Sequence, residues 1–240
     1  MTNDLKIILS HKDIEVPEGY TLIDNRENKE LDHRLYSEIA GIDLLAKKLA
    51  EAEKAKESDT TGNTNPDFPP VWITTAHYRR LPDPDCCHRT YVAEPIVLQT
   101  SVAQNYAMCH YIEDLELMGK AIKSCYPNMV QAAEQVLNGN ILVPYNIFNM
   151  QYNQFKDYSK FVIDILKKTH ELAGNHNYEE TLEIMKRREP PKVEGRNNDP
   201  VYQTRWLSFL SERVSTIYFL TASRQMPIYP MKIFKTEGAW

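Results

Sequence analysis

Two fixed cations stand side by side at the end of a short apolar segment. In the stretch ITTAHYRRLPD, β-branched residues lead into His77, Arg79 and Arg80. Arginine carries a permanent charge and a planar set of N–H donors that matches phosphate oxygens. Because the whole chain has a net charge of −5, the pair predicts a local anion site rather than a general affinity for polyanions. The alternative is that both arginines pair at the surface with Asp83 and Asp85.

A second group of polar residues follows the first apolar segment of the chain. Leu5–Leu9 predicts a buried strand, and Ser10 and His11 come directly after it. In open α/β sheets, ligands bind beyond the carboxyl ends of the strands. We therefore expect Ser10 and His11 to face the same site as the two arginines.

Candidate acid–base residues occur in two later segments. His110 and Asp114 lie four residues apart, a spacing that places both on one face of a helix, where the carboxylate could orient the imidazole or either could act as a base. Glu212 and Arg213 stand in an otherwise apolar segment, and a buried salt bridge is the alternative there. With eight glycines and no GxxxxGK[ST], GxGxxG or HExxH motif, the chain is expected to bind phosphate through arginine side chains.

Two patterns raise the question of a metal ion. Asp83 and Asp85 form a DxD motif, the spacing with which many sugar-nucleotide enzymes hold a divalent ion, so both are candidate ligands of Mg²⁺ or Mn²⁺. Cys86 and Cys87 with histidines elsewhere could assemble a zinc site, but no pair has the spacing of a zinc finger or ribbon. We expect the four cysteines to be reduced thiols.

Length and composition indicate one globular domain. The 240 residues are 42% hydrophobic and 25% charged, as in an ordinary soluble protein. The apolar runs are far shorter than the roughly 20 residues of a membrane span, and the N-terminus lacks the features of a secretory signal. We expect a cytoplasmic protein without a transmembrane segment, with peripheral association at the inner membrane left open.

Strands and helices alternate along the chain. Strands are predicted at 5–9, 20–23, 71–75, 95–100, 141–145 and 147–152, with an edge strand at 227–234, and helices at 31–58, 101–123, 128–138, 155–172 and from 206. This order predicts an α/β domain with a largely parallel sheet and a helical C-terminal half. Residues 58–70 are predicted to form a surface loop, and 175–200 a polar insert or lid without a packing stripe.

Six ordered motifs resemble a known family. HYRR at a strand end, NYAMCHYIEDLELMGKAIKSCYP, YNIFNM and LSFLSERVSTIYF, preceded by KIILSHK and LYSEIAGIDLLAKK, resemble the capsular-polysaccharide and lipopolysaccharide biosynthesis glycosyltransferases, long described as a domain of unknown function. The resemblance runs from about residue 5 to 235. It implies a GT-A-like nucleotide-sugar fold and transfer of a hexose, galactopyranose or galactofuranose, from a UDP donor to a glycan acceptor in surface polysaccharide synthesis.

The resemblance also implies site residues. Those that match the family motifs are His77, Arg79, Arg80, His110, Asp114, Asn146, Asn149, Glu212 and Arg213, and Tyr36 and Glu38 with Ser10 and His11 are expected on the nucleotide side. Leu81-Pro82 departs from the aromatic pair that usually follows HYRR, which puts the acceptor in doubt more than the donor. Other acceptors, such as a modified nucleic-acid base, or a non-catalytic binding protein stay open as alternatives.

These residues suggest a mechanism. Arg79 and Arg80 would stabilise the departing diphosphate, and His77 would donate a further hydrogen bond to it. Asp114, supported by His110, is the first candidate for the base that deprotonates the acceptor hydroxyl, and Glu212 is the second. The sequence does not decide between inverting and retaining chemistry.

Overall fold

The computed structural model of the chain describes residues 4–58, 70–85, 88–193 and 195–235. Most of the predicted loop at 58–70, together with Cys86 and Cys87, lies outside these ranges. The strands are β1 (Asp4–Ser10), β2 (Thr21–Asp24), β3 (Trp72–His77), β4 (Arg80–Pro82), β5 (Tyr91–Ala93), β6 (Ile96–Val97), β7 (Ile141–Leu142), β8 (Phe148–Gln151), β9 (Tyr229–Met231) and β10 (Ile233–Lys235).

A mixed sheet forms the centre of the fold. Its strands run in the order β2–β1–β3–β8–β5–β9, and the β4–β10 pair joins at the C-terminal end of β3. Parallel pairing joins β1 to β2 and β3, and β5 to β9, whereas β8 is antiparallel to both of its neighbours. The two strands predicted at 141–145 and 147–152 do not pair with each other, because β7 pairs with β6 in a separate two-stranded sheet and β8 pairs with β3 and β5.

Helices cover the sheet. They are α1 (His33–Tyr36), α2 (Glu38–Ser58), α3 (Val102–Cys109), α4 (Ile112–Cys125), α5 (Val130–Asn138), α6 (Tyr152–Leu172), α7 (Tyr178–Arg187), α8 (Pro200–Gln203) and α9 (Trp206–Ala222). The α6 residues Phe155, Tyr158, Val162 and Ile165 recur at helical spacing and are fully buried. They join α2, α9 and the sheet in one core, which confirms the predicted α/β fold.

Two predicted helices are each interrupted once. Ser37 has φ 48° and ψ −122°, which ends α1 and starts α2 in a new direction. His110 is the extended C-cap of α3, and α4 begins two residues later. Both interruptions lie at candidate site residues. Ser37 directly precedes Glu38, and His110 is itself a candidate.

The segment 175–200 contains the helix α7, which packs against the rest of the domain. Asn177 caps α7 with a side-chain hydrogen bond from Glu180 N, and the Glu180 side chain accepts from Asn177 N in return. Thr181 and Met185 of α7 are buried. The prediction that this segment has no packing stripe is wrong, because two residues four positions apart suffice to bury one face of a ten-residue helix.

None of the helices in the described part of the chain has the length and apolar character that a bilayer crossing requires.

Candidate functional site

A cavity of about 340 Å³ opens at the carboxyl end of β3. Its walls come from the β3–β4 turn, the start of α2, the turn before β8, the end of α3, the segment 196–205 and α9. The lining residues are Glu38, His77, Arg79, Arg80, Asn105, Cys109, His110, Tyr145, Asn146, Arg196, Asn197, Tyr202, Arg205, Ser208, Phe209, Glu212 and Arg213. Five arginines against two carboxylates make the cavity strongly electropositive within a chain of net charge −5.

Tyrosine rings, not carboxylates, hold two of the arginines. Arg80 lies 4.2 Å from the centre of the Tyr145 ring, and Arg196 lies 4.2 Å from that of Tyr202. Within the described residues, Arg79, Arg80, Arg196 and Arg205 have no carboxylate oxygen within 4.0 Å. A guanidinium stacked through its face keeps its in-plane N–H donors available for an anion.

In the part of the chain that the structure describes, two arginine donors of the cavity-lining residues are sealed from solvent and have no hydrogen-bond partner. They are Arg79 Nε and Arg213 Nε. The rest of the Arg213 guanidinium donates to Phe209 O at 3.0 Å, to Glu212 Oε2 at 3.2 Å and to Asn105 Oδ1 at 3.2 Å. Buried donors without acceptors are rare in folded proteins.

His77 has both ring nitrogens engaged inside the protein. Its Nδ1 accepts a hydrogen bond from Arg79 N at 3.2 Å, so Nδ1 carries no proton, and Nε2–H donates to Glu38 Oε1 at 3.1 Å. The prediction that His77 donates to the diphosphate is therefore replaced by a positioning role. The ring fixes the backbone at the first of the two arginines and holds Glu38 at the base of the cavity.

Glu38 is ionised in this arrangement. Burial by itself would raise the pKa of Glu38, but the hydrogen bond and electrostatic interaction with His77, and after them the charge of Arg205, outweigh it and hold the pKa at about 2. Arg205 donates from Nε to Ser37 Oγ at 3.0 Å. A carboxylate with this low pKa is a weak base.

The turn before β8 is strained where it faces the cavity. Tyr145 has φ 75° and Asn146 φ 51°, left-handed values that are costly for a tyrosine. Asn146 Nδ2 donates to Ser211 Oγ at 2.9 Å, and its Oδ1 accepts from Ser215 Oγ at 2.7 Å. These bonds tie the turn to α9 and set the Tyr145 ring beneath Arg80, so Asn146 positions the wall rather than reaching for a ligand.

His110 and Asp114 do not form the predicted helical pair. The two residues lie on opposite sides of the break between α3 and α4, and His110 Nδ1 is bonded to Gln203 Oε1 at 3.0 Å. Asp114 is buried outside the cavity, where it accepts from Tyr106 Oη at 3.2 Å and Arg188 Nη1 at 2.9 Å. Burial raises the pKa of Asp114, against the effect of Arg188. Asp114 therefore stabilises the packing of α7 and has no path to a ligand in the cavity.

Glu212 is the other carboxylate in the cavity. Its Oε1 accepts from Tyr145 N at 3.0 Å and its Oε2 from Arg213 Nη1 at 3.2 Å. The side chain is 26% exposed, and each carboxylate oxygen has further lone-pair capacity. The salt bridge considered from the sequence is present, but it lies at the surface of a cavity rather than in the core.

Three candidates for the nucleotide side remain. His11 lies beside the cavity, whereas Ser10 and Tyr36 make bonds within the protein. The His11 ring stacks edge-on against Tyr78 with centroids 5.5 Å apart, beside the cavity, and burial lowers its pKa. Ser10 Oγ donates to Lys12 O at 2.9 Å and closes a turn. Tyr36 Oη is bonded to His170 Nδ1 at 2.8 Å on another face of the molecule, so the structure places it away from the cavity.

Asn149 also lies outside the cavity. It is buried between strands, where its Oδ1 accepts from Thr74 Oγ1 at 2.8 Å and its Nδ2 donates to Arg89 O at 2.7 Å. These bonds link β8 to β3 and to the loop that precedes β5. The prediction that Asn149 contacts the donor does not agree with this position.

The DxD carboxylates form a local turn. Asp83 Oδ1 accepts from Asp85 N at 3.0 Å, neither residue lines the cavity, and Asp85 is exposed. Within the described ranges, no three His, Cys, Asp or Glu side chains are grouped as metal ligands would be. The two aspartates do not fit a metal site in this arrangement.

Sequence reasoning missed a large part of the cavity wall. Arg196 belongs to the polar segment 175–200 that was expected to be an insert, Tyr202 lies just after it in α8, and Arg205 precedes α9. The GRNNDP sequence showed an arginine next to a turn, but nothing in its spacing related it to the HYRR motif. Only the fold brings residues more than 100 positions apart to one cavity.

Comparisons with known proteins agree with this fold. The family described as a domain of unknown function, DUF4422, matches residues 87–187. Among curated proteins, no sequence matches the chain. The chain is similar in structure to WbbM, a bifunctional glycosyltransferase solved in its apo form, with a TM-score of 0.65 and 11% sequence identity over 98% of this chain. It spans 45% of the WbbM chain, so the likeness shows that this protein has the fold of one part of a glycosyltransferase.

Proposed function

We propose that the chain is a glycosyltransferase that binds a nucleoside diphosphate sugar in the arginine-lined cavity. One observation carries the proposal: arginines stacked on tyrosine rings present free N–H donors to a shared space and have no carboxylate partner within the described residues. The fold likeness to WbbM supports the same function. The volume of about 340 Å³ lies within the range of ligand pockets.

The arginines would act on the leaving group. In transfer from a nucleoside diphosphate sugar, the bond between the anomeric carbon and the diphosphate oxygen breaks, and negative charge accumulates on the diphosphate. Arg79 and Arg80 line the cavity and would stabilise that charge at fixed positions. Loss of one such donor from a catalytic site typically lowers the rate by roughly 10²–10³.

Glu212 is our candidate for the base that removes the proton of the acceptor hydroxyl. It faces the cavity, whereas Asp114 is buried elsewhere with Arg188. Glu38 shares the cavity but is occupied by His77, and its low pKa makes it a poor proton acceptor. Glu212, the second candidate base from the sequence, therefore replaces Asp114, the first.

The sugar and the acceptor rest on the motif resemblance. It favours a hexose, galactopyranose or galactofuranose, carried by UDP and transferred to a glycan acceptor in surface polysaccharide synthesis. No step of this mechanism passes through a metal ion, because Asp83 and Asp85 do not fit a metal site. Charge neutralisation is assigned to the arginines instead.

A thermal-shift experiment with UDP-galactose and UDP-glucose tests the proposal. A ligand that binds only the folded chain raises its melting temperature, so at least one of the two should do so in a concentration-dependent way. Slow release of UDP in the same mixtures distinguishes a transferase from a non-catalytic binding protein, because transferases often pass sugar to water. No shift with either compound at millimolar concentration would contradict the proposal.

A further inference from the structure

The charged side chains of the cavity offer more hydrogen-bond donors than acceptors. Each arginine offers donors only, and the acceptors of Glu38 and Glu212 are already used in part by neighbouring protein groups. A sugar presents hydroxyl groups that donate as well as accept. A neutral acceptor in the wall would therefore distinguish the sugar part of a ligand from its phosphates.

The amide of Gln203 has a fixed orientation. Its Nε2 donates to Cys109 O at 2.9 Å and to Asn197 O at 2.6 Å, and carbonyl oxygens can only accept. The opposite end of the amide, Oε1, is therefore the atom that meets His110 Nδ1 at 3.0 Å. Gln203 is 1% exposed, so no water competes for these bonds.

This orientation decides the tautomer of His110. Since Gln203 Oε1 can only accept, His110 Nδ1 must carry the proton and donate it. Burial lowers the pKa of His110 to about 4, although the bond with Gln203 opposes this, so the ring is neutral near pH 7. Nε2 then carries a lone pair. Stacking on Phe209, with ring centres 4.1 Å apart, holds the ring in place.

This lone pair belongs to a residue of the cavity wall. His110 lines the cavity, and its Nε2 has no protein hydrogen-bond partner among the described residues. Phosphate oxygens carry lone pairs of their own and would be repelled by Nε2. A hydroxyl group is the complementary ligand.

We propose that Gln203 is a positioning residue that fixes His110 as the Nδ1–H tautomer, so that His110 Nε2 accepts a hydrogen bond from a hydroxyl of the sugar carried by the nucleotide. The proposal rests on the proposed function for the identity of the ligand. Its first half, the tautomer set by Gln203, is a property of the free protein.

Nitrogen NMR of the histidine side chains in the full chain tests both halves. Wild-type protein should show His110 protonated at Nδ1, and Gln203→Met, which removes the amide at similar length, should shift the ring toward the Nε2–H form. UDP-galactose should move the His110 Nε2 resonance in the direction of an accepted hydrogen bond, whereas UDP alone should not. His110→Phe should weaken the binding of UDP-galactose by about 10-fold and change the affinity for UDP by no more than about twofold.

The outcomes separate this proposal from the proposed function. If neither UDP nor UDP-galactose binds while the wild-type tautomer is as expected, the proposed function fails and the role of Gln203 stands. If UDP-galactose binds but wild-type His110 is the Nε2–H tautomer, or its Nε2 does not respond to the sugar, this proposal is overturned. Should Gln203→Met fail to fold, the wild-type spectra with the two nucleotides still decide.

Discussion

His77 donates from Nε2 to Glu38 Oε1 over 3.1 Å and at the same time accepts from Arg79 N over 3.2 Å. One ring thus connects the start of α2 with the turn that carries the arginines. Because both nitrogens are occupied, the ring cannot also reach a ligand without breaking one of these bonds. The floor of the cavity is consequently built before any ligand arrives.

Glu38→Gln should change how stability depends on pH. The pKa of Glu38 in the folded protein, about 2, lies below its ordinary value of 4.5. The ionised carboxylate therefore stabilises the folded protein above about pH 4.5. This contribution disappears as the pH falls toward 2. The difference corresponds to on the order of 3 kcal/mol at neutral pH. Urea unfolding at pH 7 and at pH 3 measures it.

The variant should be clearly less stable than wild type at pH 7 and approach it at pH 3. Glu116→Gln on the exposed face of α4 is the matched control and should show no such trend. An equal loss of stability at both pH values in Glu38→Gln would mean that the charge is not involved.

Glu212→Gln and Asp114→Asn distinguish the two candidate bases. Loss of a general base typically lowers turnover by about 10²–10⁴-fold, and Glu212→Gln should fall in that range with little change in UDP-galactose affinity. Asp114→Asn keeps an acceptor for Tyr106 and Arg188 and should retain turnover within a few-fold. Initial rates of UDP release measure both. A folded Asp114→Asn protein that loses as much turnover as Glu212→Gln would restore Asp114 as the base.

Asn149→Ala should lower the stability of the protein without weakening nucleotide binding. The substitution leaves Thr74 Oγ1 and Arg89 O without their buried partner, which costs about 1–3 kcal/mol. Chemical denaturation measures this loss, and titration with UDP-galactose measures affinity. Weaker binding by a variant of normal stability would argue that Asn149 reaches the donor after all.

Local sequence patterns predicted the individual strands and helices better than the pairing between the strands. The apolar run at 5–9 and the period of α6 determine a strand and a helix from residues close in sequence. The pairing of β8 with β3 and β5 depends on distant partners, and no short pattern records it. The same holds for β7, which reads as part of a hairpin but pairs with β6.

Local sequence patterns also predicted only part of the candidate site. Arg79, Arg80 and Glu212 were found because their residue types are unusual for their surroundings, and they line one cavity. Asp114 was misassigned because its spacing from His110 assumes a continuous helix, and the chain breaks between them. Arg196 and Arg205 were missed because their role depends on tertiary contact alone.

Titration calorimetry of UDP-galactose against wild type, Arg79→Ala, Arg80→Ala and the exposed control Arg224→Ala tests the central claim most directly. Hydrogen bonds to charged groups contribute enough that each cavity variant should bind about 10–100-fold more weakly, and Arg224→Ala should bind as wild type does. Undiminished affinity in folded Arg79→Ala and Arg80→Ala proteins would contradict the claim that these arginines hold the diphosphate.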